Sequence, residues 1–198
     1  MKLISLEHGR TAYRADFAFY GAAVLIVAAT LLIACPRGQR LESAALAGLG
    51  LAGWSLIEYL LHRFVLHVVP PFCEWHARHH RRPTALISTP TLMSAALIVA
   101  LVFAPAFGLV GLWPATALTW GVLTGYLAYA IVHHAMHHWH TGNAWVRRRK
   151  RWHALHHGQA VRGSCYGVTS GLWDHVFGST PESGVGLSAA AASAGLRR

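Results

Sequence analysis

Four stretches of this chain are too long and too apolar for the core of a small water-soluble domain. Phe17 to Cys35, FAFYGAAVLIVAATLLIAC, carries no charge, and Ala44 to Leu61 carries only Glu58 near its end. Thr89 to Val110 and Leu112 to Met136 follow, divided by the GLVGLW turn. About 20 apolar residues rising ~1.5 Å each cross a hydrocarbon layer of ~30 Å. The predicted spans are therefore 17–35, 44–61, 89–110 and 112–136, and the fold class is all-α: an integral membrane four-helix transmembrane bundle. Only 12% of the 198 residues are charged, against ~25% in soluble domains. The first stretch is of full length and runs into CPRGQR rather than a small-residue cleavage site, so it reads as an uncleaved span.

Four spans place both termini and the segment joining spans two and three on one side. That side receives every Lys and Arg of the 17 except Arg37 and Arg40. Cytoplasmic loops carry such an excess, which predicts cytoplasmic termini and a cytoplasmic middle loop. The net charge of +10 is thereby explained by topology and anionic headgroups, and no nucleic acid partner is expected. The run RRRKR, Arg147 to Arg151, reads first as a topology anchor, with Trp145 and Trp152 beside it at headgroup level. Cys35, Cys73 and Cys165 have no CxxC spacing and are expected to be reduced thiols. The small-residue tail 179–198 reads as disordered.

Of the 15 histidines only His8 precedes His62. The others form HRFVLH (His62, His67), HARHH (His76, His79, His80), HHAMHHWH (His133, His134, His137, His138, His140) and HALHH (His153, His156, His157), with His175 further on. The four clusters fall at the cytoplasmic ends of spans or just beyond them. Helical residues three or four apart share a face, so each HxxHH aligns three rings. In the third cluster His133 and His137 lie on one stripe and His134 and His138 on another, which leaves two registers open. His62 and His67, five apart, stand about 140° from each other on an ideal helix. They share a metal only if the helix ends or bulges between them.

Imidazole suits iron, zinc, copper and nickel. With one pair from the third cluster there are more nitrogens than one ion can take, so the arithmetic favours a histidine-dominated dinuclear site in a helical cap formed by 62–84 and 133–178. Residues 1–178 then make one transmembrane domain. Glu58, four residues before His62, is placed to accept that ring's free N–H, and Asp174 is a second supporting candidate. Tyr129, one turn before His133, reads as a hydrogen-bonding group or an interface aromatic. His8, His140 and His175 read as polar caps. A transporter would place its ionisable residues near the bilayer midplane, whereas here spans one and three have none and the histidines sit at the cytoplasmic ends. A non-enzymatic metal-binding membrane protein is the alternative from another class, and a paired-histidine haem protein is a third.

The series EYLLHRFVLH, HARHHRRP, YAIVHHAMHH and WHALHHGQ, followed by YGVTSGLWDHVFGS, resembles the fatty acid hydroxylase superfamily of membrane di-metal oxygenases. That superfamily also holds sterol desaturases, sterol methyl oxidases and carotenoid hydroxylases. The resemblance runs from Glu58 to Ser179, and GVTSGLWDHVFGS looks most like the fatty acid 2-hydroxylase branch. It implies metal ligands at His62, His67, His76, His79, His80, His153, His156 and His157. Aligning Tyr129 with the family's aromatic adds His133 and His137, with His134 and His138 as the alternative register. It implies two iron ions, with zinc as a possible substitute, and O2. Electrons would come from a separate protein resembling cytochrome b5 or ferredoxin. The implied reaction is hydroxylation or desaturation of an unactivated lipid C–H bond, with a fatty acyl chain the first expectation and a carotenoid or sterol the alternative. The membrane would be a bacterial inner membrane, or the endoplasmic reticulum in a eukaryote. Two departures bear on substrate: the eight residues between His67 and His76 form a short linker, closer to carotenoid hydroxylases, and Thr84 and Ala85 stand where an acidic residue is common. No haem domain is expected upstream, since only His8 lies there.

Overall fold

The computed structural model describes residues 7–158 and 163–181. All regular elements among them are helical; Glu7 and Ile87 form a lone antiparallel bridge. The elements are α1 (Arg10–Ala34), a 3-10 turn (Arg37–Gln39), α2 (Arg40–Leu60), a π segment (Leu61–Leu66), α3 (Phe72–Arg81), α4 (Thr91–Ile98), a second π segment (Val99–Phe103), α5 (Ala104–Val110), α6 (Leu112–His138), α7 (Ala144–His157) and α8 (Leu172–Val176). Four helical stretches, Arg10–Ala34, Arg37–Leu66, Thr91–Val110 and Leu112–His138, are long and apolar enough to cross a membrane. Each expected span lies almost wholly within one of them. The bulk of the expected tail, 182–198, lies outside the described residues, as do Lys2, Arg162, Arg197 and Arg198 of the charge count.

The chain divides into two compact units, Met1–Trp54 with Ala85–Ala130 and Ser55–Thr84 with Ile131–Arg198. The first unit contains the greater part of all four apolar helices. Its outer surface is apolar: Leu32 is 77% and Ile33 82% exposed on α1, as lipid rather than water would permit. Helix α1 begins at Arg10, one to two turns before the uncharged run. The extension is possible because Asp16 is buried and accepts a 2.6 Å hydrogen bond from Thr91 Oγ1. The Tyr20 hydroxyl meets Ser94 Oγ at 2.6 Å, and Trp120 Nε1 donates to the Val24 carbonyl at 3.0 Å. Such interhelical bonds matter where lipid tails offer no competing hydrophobic drive.

Helices α2 and α6 approach backbone to backbone. A Cβ on Gly121 would stand 2.2 Å from the Ala47 carbonyl oxygen, and one on Gly50 2.2 Å from that of Leu118. Small residues permit this close packing of membrane helices. The expected turn between spans three and four is made at Gly111, whose φ of +79° suits a residue without a side chain. Gly121→Ala is therefore expected to lower stability by about 1–3 kcal/mol through overpacking. Gly48→Ala, with open space at its Cβ, is expected to leave stability unchanged or slightly raised; thermal unfolding in one detergent checks the pair.

Candidate metal centre

All the histidines of the four clusters except His140 are brought near one another by the second unit. The π segment resolves the five-residue spacing of HRFVLH. Its wider i→i+5 turn carries His67 back toward the face of His62, and the two rings lie 5.3 Å apart. Helix α3 presents His76, His79 and His80, and α6 ends with His133 and His137. Asn143 caps α7 by accepting from the Val146 N–H at 3.1 Å. That helix buries Arg149, His153 and His156, an i, i+4, i+7 stripe.

The rings form two sets in which one nitrogen per residue lies within 4.8 Å of the others: His62, His67, His76, His80 and His156, and His79, His133, His137 and His153. Either could hold a metal ion. Nine of the ten candidates are thus distributed between them. His157 joins neither within that limit, but its Nε2 is 3.1 Å from that of His153 and its ring stacks on His80 at 4.1 Å. The alternative pair, His134 and His138, stacks together at 4.5 Å outside both sets. His8, His140 and His175 also belong to neither.

The nitrogens meet in a way hydrogen bonding alone does not satisfy. His76 Nε2 lies 3.0 Å from His62 Nε2 and 2.9 Å from His80 Nε2, while His153 Nε2 lies 2.9 Å from His137 Nε2 and 3.1 Å from His157 Nε2. Each nitrogen of a neutral imidazole carries either one N–H or one lone pair, so in a three-nitrogen junction the central nitrogen makes at most one full hydrogen bond. His62 Nδ1 donates to the Tyr166 carbonyl at 2.5 Å and His156 Nδ1 to that of Ser164 at 2.9 Å. Both therefore turn a bare Nε2 toward their set. Burial pushes His79 and His156 down to about 3 and His80 to about 4, with neighbouring imidazoles adding to the effect. These rings are neutral near pH 7, the form that ligates. Both nitrogens of His79 are buried without a hydrogen-bond partner. Nitrogens 2.0–2.1 Å from one ion and at right angles stand about 3 Å apart, which is the spacing found.

The carbonyls of Ser164 and Tyr166 belong to an irregular loop whose backbone polar groups are nearly all bonded. Asp174, fully buried, accepts from the N–H groups of Tyr166 (2.8 Å) and Gly167 (2.9 Å), from Ser179 Oγ (2.8 Å) and from Trp152 Nε1 (3.3 Å). Glu58 accepts from the N–H groups of Val168 (2.6 Å) and Thr169 (2.9 Å) and from Thr169 Oγ1 (2.6 Å). Arg149 donates to the carbonyls of Val168 (3.0 Å) and Gly167. Gly167 is required, because a Cβ there would lie 1.9 Å from the Ser170 carbonyl oxygen. Burial lowers the Arg149 guanidinium, and Glu58 and Asp174 oppose that shift. A cavity of about 460 Å3 reaches the first set, lined by His67, His80, Arg81, His156, His157 and Tyr166 among others.

Several expectations are corrected here. Glu58 does not receive the His62 N–H, because the helix widens at Leu61 and turns that ring to the Tyr166 carbonyl instead. Arg149 is not part of an exposed anchor: it is 7% exposed, while Arg147, Arg148 and Arg151 are exposed. Trp152, expected at headgroup level, is half-buried and donates its Nε1–H to Asp174 at 3.3 Å. Tyr129, read as a hydrogen-bonding group or an interface aromatic, lies in the first unit with its ring 6.1 Å from that of Trp54, a contact that contradicts neither reading. Ser179, where the tail was expected to begin, is buried and bonds Tyr59 and Asp174. The three cysteines are free. Arg149 was detectable, being four residues before His153 on its stripe; the two carbonyls have no side-chain signature.

The family model for fatty acid hydroxylase matches residues 47–179. The chain belongs to the fatty acid hydroxylase family. Dihydroceramide fatty acyl 2-hydroxylase FAH2 of Arabidopsis thaliana is 32% identical over 182 residues, covering 84% of this chain and 72% of that protein. Ceramide very long chain fatty acid hydroxylase SCS7 of Saccharomyces cerevisiae is 32% identical over 164 residues, which cover 74% of this chain but 41% of that protein. A solved structure, full-length scs7p with only the hydroxylase domain visible, aligns with a TM-score of 0.73 at 27% identity over 85% of this chain and 66% of that one. This fatty acid hydroxylase family member thus spans well under half the length of the yeast relative.

Asp174→Asn would turn an amide N–H toward backbone donors, and is expected to cost about 1–3 kcal/mol. Chemical denaturation in detergent measures it, with exposed Arg148→Gln as the unchanged control.

Proposed function

We propose that this chain is a membrane monooxygenase that hydroxylates a lipid acyl chain at a dinuclear, histidine-held iron centre. The observation that carries the reading is the pair of histidine sets whose nitrogens converge at about 3 Å. It is supported by the buried, partnerless nitrogens of His79 and by relatives named as ceramide and fatty acid 2-hydroxylases. The residues present fit the group: neutral imidazoles in numbers that suit two first-row ions. His62, His67, His76, His80 and His156 would hold one ion, and His79, His133, His137 and His153 the other, with His157 beside both. His133 and His137 are the register this assignment uses.

Bound iron would supply the O2-dependent redox chemistry that side chains lack, whereas zinc would fill the sites without it. The protein's own contribution is positional. The Ser164 and Tyr166 carbonyls hold the rings of His156 and His62 with the proton on Nδ1, which keeps Nε2 free. Burial favours the neutral form of His80 and His156, while His67 is exposed. The cavity beside His67, His80 and Tyr166 gives small reactants a way to the first set. The distribution of Lys and Arg supports a cytoplasmic site, where a separate electron-transfer protein would deliver two electrons per turnover. Acyl chains are favoured over carotenoids and sterols because the named relatives act on acyl groups.

Cells expressing the chain are expected to accumulate lipid with an added 16 mass units that incorporates label from 18O2. His156→Ala is expected to abolish that product, and full activity in this variant would overturn the site. Desaturated product would overturn hydroxylation, and no more than one iron per active chain would overturn the dinuclear centre. His138→Ala, in the alternative register, is expected to retain the activity.

A further inference from the structure

Three buried charges of the second unit, Glu58, Asp174 and Arg149, lie outside both histidine sets, yet each bonds one short loop. The loop forms neither helix nor strand, so its buried N–H and C=O groups need partners from elsewhere. Asp174 takes the N–H groups of Tyr166 and Gly167, and Glu58 takes those of Val168 and Thr169. Arg149 takes the Gly167 and Val168 carbonyls. The Tyr166 and Ser164 carbonyls then face the Nδ1 atoms of His62 and His156.

We propose that Arg149 is a positioning residue for the first histidine set, acting with Glu58 and Asp174 through the Ser164–Thr169 loop. The inference rests on the dinuclear reading above and adds an asymmetry to it. A carbonyl at Nδ1 fixes both the tautomer and the plane of a ring. In the first set two rings are held in this way; in the second, His79 has no hydrogen-bond partner at either nitrogen and is held by packing against its neighbours. Loosening the loop should therefore weaken the first position and spare the second. The guanidinium suits the task because its planar fork reaches two adjacent carbonyls at once, which a lysine ammonium on a flexible stem does less well. A purely architectural role for Arg149 predicts another outcome. Arg149 shares its buried stripe with His153 of the second set as well as His156 of the first, so a general displacement of α7 would weaken both positions together.

The test titrates cobalt(II) into the full chain in lipid nanodiscs. Wild type is expected to take two ions and His79→Ala to keep the first-set ion. Arg149→Lys is expected to weaken one of the two positions by about 10–100-fold, the range for losing an outer partner of a ligand. The double variant His79→Ala/Arg149→Lys should then show only the weakened position. Thr169→Val, which removes one bond to Glu58, should act in the same direction more mildly, and it decides the matter if the arginine variants fail to fold. Equal weakening of both positions, or no weakening, would overturn the proposal. A second readout is 15N NMR of the zinc-loaded chain. The Nδ1 protons of His62 and His156 should exchange slowly in wild type and faster in both loop variants, and unchanged exchange would also overturn it. Fewer than two ions in wild type would overturn the dinuclear reading alone, since the Nδ1 protons still report on the loop.

Discussion

Imidazole rings packed with their Nε2 atoms about 3 Å apart set the terms for the second unit. Each neutral ring has one proton to give, and His62 and His156 give theirs to backbone carbonyls. Their remaining lone pairs meet nitrogens of His76 and His67 at 3.0 and 3.1 Å. One hydrogen can relieve a pair of lone pairs but not a junction of three. A cation relieves all of them, and desolvation of these neutral rings leaves them ready to receive one. The packing of α3 and α7, the widening after α2 and the loop before α8 each place rings within this junction.

The π segment shows how backbone geometry meets that demand. An α-helix continuing from α2 would turn His67 about 140° from His62, and the set would lose one of its five rings. An i→i+5 turn over Leu61–Leu66 brings both rings to one side. Such turns are rare and recur at functional sites. The same widening moves His62 out of register with Glu58. It frees the carboxylate for the Val168 and Thr169 N–H groups and hands the ring to Tyr166.

What could be read in advance followed from periodicity. Long runs with at most one charge marked all four apolar helices, and the i, i+3, i+4 spacing in HARHH and HALHH marked rings sharing a stripe. The matching of box to box was not legible, because it depends on the rotation of α6 against α3: His133 and His137 meet His79, whereas His134 and His138, one residue on, do not. Glu58 was singled out correctly but given the wrong partner, since helical spacing assumed an α-helix where the chain widens. Arg149 was legible in register but not in composition. Within five consecutive cations only its place on the His153 and His156 stripe sets it apart. The carbonyls of Ser164 and Tyr166 could not have been named at all, because a backbone oxygen leaves no trace in residue identity.

The loop also bears on why charge is buried here. Replacing a buried ion group with apolar residues is often neutral or stabilising, so such a group is weak evidence for stability. That substitution is closed to this chain. Four consecutive N–H groups, from Tyr166 to Thr169, need acceptors, and no strand or helix supplies them. Two carboxylates satisfy all four, and a single guanidinium then offsets part of the carboxylate charge and answers two of the carbonyls. An apolar trio of the same volume would leave six backbone groups unpaired, each costing about 1–3 kcal/mol. The charges are thus fixed by the irregular backbone, and the backbone is irregular where two carbonyls must turn toward imidazoles. The same bonds thus serve the stability of the unit and the orientation of the His62 and His156 rings.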